Sequence, residues 1–317
     1  MSGSSPTSVL AAIALVLSGT SAWAQTPASE PAQTPSVFRA GVEAVAVSVT
    51  IRDSRGRVVK GLAASDFEVF DTGSLTPITD FFVGAGPVSL AVLVDISGSM
   101  AVGGKMGKAR EVVTLLVGAL EPMDEATLYT FDSRLVQVVP FTEDLDYLRR
   151  ASFEGRPWGS TSLFDSINET AALVAMRANK HRALVVITDG VDTASRMTAA
   201  QVSGVAASID VPVYLLRILG AADRPLDAIE LRGGRAGTGT MADLARWTGG
   251  DVREMSKPAD TRAAVVAVLE ELRHQYVVTF EPGTRPGWHP IEVRMRKKDL
   301  FAHTRGGYVA GPARTGS

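Results

Sequence analysis

Three short stretches of this chain set oxygen-bearing side chains where they could act together. In "SLAVLVDISGSM" (residues 89 to 100) an apolar run stops at Asp95, and Ser97 and Ser99 follow at alternate positions. In "WGSTSLFDSI" (158 to 167) Gly159, Ser160 and Thr161 stand ahead of a helical pattern, and "ALVVITDG" (183 to 190) closes on Asp189 and Gly190. A loop leaving a strand puts alternate side chains on the same side, and Gly98 permits the tight turn this needs. If the three loops lie side by side, Asp95, Ser97, Ser99, Thr161 and Asp189 present only oxygen atoms to one point. Hard oxygen ligands with two carboxylates suit Mg²⁺ or Mn²⁺ and not zinc, which prefers nitrogen and sulfur. Trp158, Ser160 and Asp192 flank these loops and are candidates for a rim that a partner would touch.

Each feature has a simpler use on its own. Ser99 and Thr161 could cap helices, and Asp189-Gly190 could be an ordinary turn. Three separate loops ending in metal-compatible oxygens favour the cation reading over three coincidences. A phosphate cradle is the other competitor, because "GSMAVGGK" (98 to 105) nearly fits a P-loop. It has one glycine too many before Lys105, and Met106 stands where a hydroxyl is required. "GGRAGTGT" (233 to 240) is glycine-rich but has no strand directly ahead, so a surface loop is expected.

These residues need a scaffold. Strands are expected at 90–95, 126–131, 183–189, 211–218 and 251–254, and helical periods at 105–120, 163–178, 198–208, 240–247 and 258–274. Near-continuous apolar runs such as "ALVVIT" suit strands buried on both faces. Their alternation with helices implies an α/β fold, a doubly wound and mostly parallel sheet with right-handed crossovers. In such sheets ligands bind at the carboxyl ends of the strands, which is where Asp95 and Asp189 fall.

The flanks read as β structure. Val45, Val47, Val49 and Ile51 alternate with smaller or polar residues, "DSRG" (53 to 56) carries turn chemistry, and Val58 and Val59 begin a return strand. Three more strands are expected in "QYVVTFEP", "HPIEVRMR" and "GGYVAG". Neither flank is large enough to bury a core alone, so the two should join in an accessory β-sandwich with the α/β domain inserted between them. The first 24 residues read as an export signal, with an apolar core from Val9 to Gly19 and "AWA" at 22 to 24, although no Lys or Arg precedes it. The expected layout is therefore a signal at 1–24, a flexible Pro/Ser/Thr/Ala linker at 25–38, an N-terminal β module at 39–86, the α/β domain at 87–274 and C-terminal strands at 275–311.

Bulk properties narrow the function classes. Of 317 residues, 45% are hydrophobic and 21% charged, as in a globular chain, and a net charge of −2 gives no field to draw nucleic acid or an anionic membrane. The absence of cysteine excludes disulfides, thiolate zinc sites and cysteine nucleophiles. His181, His274, His289 and His303 show no spacing suited to a metal pair and are expected at the surface. Trp158, Trp247 and Trp288 are expected to pack. A Mg²⁺-dependent phosphohydrolase would need a nucleophile with a nearby acid or base; Asp95 has no second carboxylate two residues on, and Asp132 and Asp192 read as solvated loop acids.

"DISGSM", "GSTSLFD" and "ITDG" together resemble the three loops of the von Willebrand factor type A domain, which form its metal-ion-dependent adhesion site. On that resemblance Asp95, Ser97, Ser99, Thr161 and Asp189 occupy the ligand positions, over roughly residues 87 to 274. It implies that Ser97 and Ser99 coordinate directly, that the aspartates neutralise the cation partly through water, and that an Asp or Glu of a protein partner completes the octahedron. It also implies that the helix at 258–274 moves with ligand. "GLAASDFEVFDTG" and "RHQYVVTFEP" resemble the ends of bacterial exported proteins described as VWFA-related. The expectation is a secreted or periplasmic, non-enzymatic, metal-dependent protein-binding protein with no membrane span after signal cleavage; a phosphohydrolase-like enzyme or a structural envelope protein are the alternatives.

Overall fold

The computed structural model describes residues 44–310, apart from residues 85, 152, 154–155, 191, 222 and 227–239. The expected signal and linker, and most of the glycine-rich stretch at 233–240, lie outside the described residues. In chain order the first strands are β1 (Val45–Asp53), β2 (Phe67–Asp71), β3 (Ser74–Thr76) and β4 (Ile78–Phe82). Next come β5 (Val88–Asp95), α1 (Lys105–Gly118), β6 (Glu125–Phe131), β7 (Leu135–Thr142), α2 (Leu145–Arg150) and α3 (Leu163–Ala175). The α/β part continues with β8 (His181–Thr188), α4 (Ala199–Ser208), β9 (Val213–Ile218), α5 (Met241–Thr248), β10 (Val252–Met255) and α6 (Pro258–Arg273). The chain closes with β11 (Tyr276–Phe280), β12 (Gly287–Met295), β13 (Leu300–Thr304) and β14 (Gly307–Ala310).

The fold is α/β, with a mostly parallel central sheet ordered β10-β9-β8-β5-β6-β7 and two further antiparallel sheets. Every residue of β5 is buried. Its side chains alternate between two cores. Leu90, Val92 and Val94 meet Val112 and Leu116 of α1 and Val268 and Leu272 of α6, whereas Ala91 and Leu93 meet Ile167 of α3, Val202 of α4 and Leu244 of α5. Helices on both faces explain why the strand reads as an unbroken apolar run. From β5 the chain goes first to β6 and β7 on one side, then returns to β8, β9 and β10 on the other. The sheet's switch point is thus the crevice between the ends of β5 and β8, where a ligand is best placed.

Two strands, β7 and β13, escaped the sequence pattern. β7 pairs antiparallel with β6 and has no other neighbour among the described residues, and an edge strand tolerates Pro140. The expected return strand at Val58 reduces to a single bridge, Arg52 to Val58, and β13 was not anticipated.

Both antiparallel sheets mix strands from the two ends of the chain: they alternate in β13-β1-β11-β4, whereas in β14-β12-β2-β3 the two ends meet only at the β12-β2 pair. They share one core that includes Val49, Phe67, Tyr276, Phe280, Ile291 and Tyr308. Helix α6 feeds through His274 and Gln275 directly into β11, and Arg52 of β1 reaches back to Asp251 at 3.0 Å and Glu271 of α6 at 2.8 Å. Among the described residues no helix is long and apolar enough to cross a membrane.

Two of the histidines expected at the surface are buried. His181 contacts the Gly84 carbonyl at 3.0 Å. His289 contacts Asp71 at 2.9 Å and the Arg285 carbonyl at 2.6 Å. Their spacing gave no warning because the partners are backbone or distant in sequence.

Candidate cation site at the sheet switch point

Strand β5 ends on Asp95, whose carboxylate ties the crevice together. Its Oδ1 accepts from the Ser97 N–H at 2.8 Å and its Oδ2 from the Thr188 hydroxyl, at the end of β8, at 2.7 Å. Burial, opposed by the bonds to Ser97 and Thr188 and reinforced by the nearby charge of Asp189, raises the pKa of Asp95 above the usual carboxylate value. Two carboxylates close enough to repel in a buried place are stabilised by positive charge.

Past Asp95 the Ile96 N–H continues the ladder to the Phe131 carbonyl at 2.8 Å, and the chain then turns through a short 3-10 segment, Gly98–Ala101. The Ser97 and Ser99 hydroxyls lie 3.1 Å apart, with Ser97 buried and Ser99 exposed. The second loop is bound to the first through backbone. Gly98 N–H donates to the Gly159 carbonyl at 3.1 Å and Trp158 N–H to the Ile96 carbonyl at 3.1 Å. A side chain at Gly98 would have its Cβ 3.3 Å from the Gly159 oxygen, a tight contact that the loops could accommodate only by moving apart a few tenths of an ångström.

Thr161 is buried, its N–H bonded to the Thr193 hydroxyl at 2.9 Å and its carbonyl to the N–H groups of Thr193 and Ala194 at 3.0 Å each. Neither proposed serine or threonine is used as a cap. Ser162, not Thr161, precedes α3, and it makes no capping bond; Asp192 takes that role, accepting from Leu163 N–H at 2.9 Å and the Ser195 hydroxyl at 2.6 Å. Asp192 Oδ1 therefore braces the start of α3, and the residue is half-buried. Trp158, expected to pack, is instead 80% exposed beside the loop, and Ser160 is exposed next to it.

Asp189 follows β8 and is buried. Gly190 adopts φ +100 and donates to the Thr188 hydroxyl at 3.0 Å, the backbone turn that brings the aspartate to the crevice. The Asp189 Oδ2 accepts from the Lys105 ammonium at 2.9 Å, and its Oδ1 is buried with no hydrogen-bond partner among the described residues. An orphaned buried carboxylate oxygen is costly unless something completes it. Lys105, weighed in the sequence only as a phosphate lysine, lies instead between Asp189 and Asp223, the latter at 2.8 Å. Its position at the start of α1, ten residues after Asp95, carries no signal that spacing alone could expose. Among the described residues no three His, Asp or Glu side chains converge on one point. Any cation here would be held largely by hydroxyls, and the donor set of two carboxylates, serine hydroxyls and a threonine fits a hard divalent ion.

Residues 90–191 match the family model of the von Willebrand factor type A domain, a span that contains all three loops. The chain carries a von Willebrand factor type A domain. Among solved structures, the chain is similar to the conserved hypothetical protein BatB from Bacteroides thetaiotaomicron, at 20% identity over 58% of this chain and 98% of that one, with a TM-score of 0.44. It is similar also to an aerotolerance-related membrane protein from Bacteroides fragilis, at 21% identity over 58% and 98%, TM-score 0.42. A von Willebrand factor type A protein from Catenulispora acidiphila aligns at 11% identity over 88% of this chain and 76% of that one, TM-score 0.47. No curated protein sequence matches the chain. The VWA domain match brings with it a general role in protein interaction, and domains of this family are in general not enzymes.

Proposed function

We propose that this is an exported binding protein whose VWA domain holds Mg²⁺ or Mn²⁺ at the switch point and captures an Asp or Glu carboxylate of a protein partner. The reading is carried by the buried Asp189 Oδ1, unpartnered among the described residues and close enough for its carboxylate to repel Asp95, which in turn holds the Ser97 N–H next to the paired Ser97 and Ser99 hydroxyls. Ser97, Ser99 and Thr161 would supply neutral oxygens and Asp95 and Asp189 the negative charge. A bound divalent ion supplies an electrophilic position that an oxygen anion can fill. Asp95 has both carboxylate oxygens already engaged, so it orients Ser97 and joins β5 to β8 and is poorly placed as a free nucleophile. Lys105 is committed between two carboxylates and does not face open space as a phosphate-binding lysine would. Both points weigh against a phosphohydrolase. Trp158 offers the partner an exposed aromatic surface next to the cation loops, and such residues are enriched at the centres of interfaces.

Export rests on the apolar segment from Val9 to Gly19 and the small residues at 22 to 24. The test is capture from the native envelope on immobilised protein, with Mg²⁺ or with EDTA. Wild type should retain a partner in Mg²⁺ and release it in EDTA, and Asp95→Ala should retain none. Retention that survives EDTA contradicts the proposal.

A further inference from the structure

The Lys105 side chain is buried at the first position of α1, and its ammonium bridges Asp189 and Asp223 from two different loops. Gly220 N–H donates to the same Asp223 oxygen at 2.8 Å, so the far anchor is itself fixed by backbone. The alkyl stem is confined as well: a Cβ at Gly220 would stand 3.2 Å from the Lys105 Cε. The ammonium is held in place, and it occupies one oxygen of the very carboxylate whose other oxygen is unpartnered.

We propose that Lys105 is a built-in counter-ion that weakens the hold of the VWA site on its divalent cation and thereby keeps the site receptive to the partner's carboxylate. This rests on the metal reading given above. Asp95, Asp189, Asp223 and Lys105 together carry a formal charge of −2, which a divalent ion brings to zero. Without the lysine the four positions carry −3, and the loaded site remains at −1. An incoming carboxylate then meets a neutral site in the first case and an already negative one in the second, and in a partly buried place that difference is poorly screened. With one Asp189 oxygen committed to the ammonium, only Oδ1 remains to face the cation, so the ion is held by neutral hydroxyls and keeps its appetite for an anion.

The experiment is Mn²⁺ titration of the full chain, read by the electron paramagnetic resonance signal of free Mn²⁺. Wild type is compared with Lys105→Met, Lys105→Arg and Asp223→Asn. Removing the positive charge should tighten Mn²⁺ binding about tenfold, and removing the remote negative charge should loosen it a few fold. Lys105→Arg, which keeps the charge, should stay within about twofold of wild type. With Mn²⁺ saturated, acetate should displace bound water from the Mn²⁺ of wild type at lower concentration than from Lys105→Met, read by water-proton relaxation. A purely structural lysine would move Lys105→Met and Asp223→Asn in the same direction, and that result overturns the inference while leaving the metal reading intact. Asp223→Asn carries the test if Lys105→Met does not fold. Absence of Mn²⁺ binding in wild type and in all variants overturns the metal reading and this inference with it.

Discussion

Two buried polar clusters in this molecule invite comparison, one in the β-sandwich and one at the switch point of the central sheet. In the sandwich, Asp71 Oδ1 accepts from His289 at 2.9 Å and from the Thr72 hydroxyl at 3.0 Å. Its Oδ2 accepts from Gly283 N–H at 2.9 Å and the Tyr308 hydroxyl at 2.8 Å. The second ring nitrogen of His289 is met by the Arg285 carbonyl at 2.6 Å, so both nitrogens face acceptors and the ring is suited to carry its charge. Every oxygen and nitrogen is answered from within the chain. At the switch point the same kinds of group converge, yet Asp189 Oδ1 is left unanswered and Asp95 and Asp189 repel each other. A closed network of this kind stabilises a fold, whereas an open one stores free energy that a ligand can release. That difference is what the proposed reading rests on: the sandwich cluster is a brace, and the switch-point cluster is the proposed binding site.

Asp71→Ala should destabilise the chain most, by about 3 kcal/mol in chemical denaturation, because it leaves His289, Tyr308 and Gly283 N–H unpaired in a buried place. Its effect on divalent-metal binding should be nil. Mg²⁺ at about a hundred times its dissociation constant should stabilise wild type by roughly 2.7 kcal/mol, raising the melting temperature. Asp95→Ala should remove that increment entirely, and the sandwich variant should keep it.

The sandwich cluster also predicts a pH dependence. For His289, burial disfavours the charge, but the bonds to Arg285 and Asp71 outweigh it and raise the pKa above 6.5. For Asp71, burial is likewise outweighed, by the bonds to His289, Tyr308 and Gly283, and the pKa falls below 3.8. The histidine contribution is complete below pH 6.5 and lost as pH rises through the higher folded value. The aspartate contribution is present above pH 3.8 and lost as pH falls through the lower folded value. Denaturation midpoints should therefore decline above neutrality, and His289→Gln should flatten that decline. At the small end, Asp192→Ala should cost about 1 kcal/mol as a lost helix cap. Trp158→Ala should change stability by less than about 0.5 kcal/mol while weakening Mg²⁺-dependent partner capture.

Much of the scaffold was legible because β5 and β8 are buried on both faces and read as unbroken apolar runs, with helical periods between. Asp95 and Asp189 stood out because they abruptly end those runs, Ser97 because it follows two residues on, and Thr161 because it stands just ahead of a helical pattern. What escaped was set by tertiary contact. β7 mixes Gln137 and Pro140 into a strand that needs only one neighbour. Asp192 read as a rim acid although it braces α3 from thirty residues away. His289 looked like a surface residue because Asp71 lies 218 positions earlier. Lys105 looked like a failed phosphate lysine because nothing local announces Asp189 or Asp223 as its partners. Residues whose role is fixed by a distant partner are the ones that pattern reading misses.

The most direct measurement is an anomalous-scattering map from crystals soaked in Mn²⁺. If a divalent ion sits at the switch point, a single strong peak should appear between β5 and β8, about 2.1 Å from the hydroxyl oxygens of Ser97 and Ser99, and none there in Asp95→Ala. A peak only elsewhere on the molecule, or an empty crevice at saturating Mn²⁺, would contradict that placement.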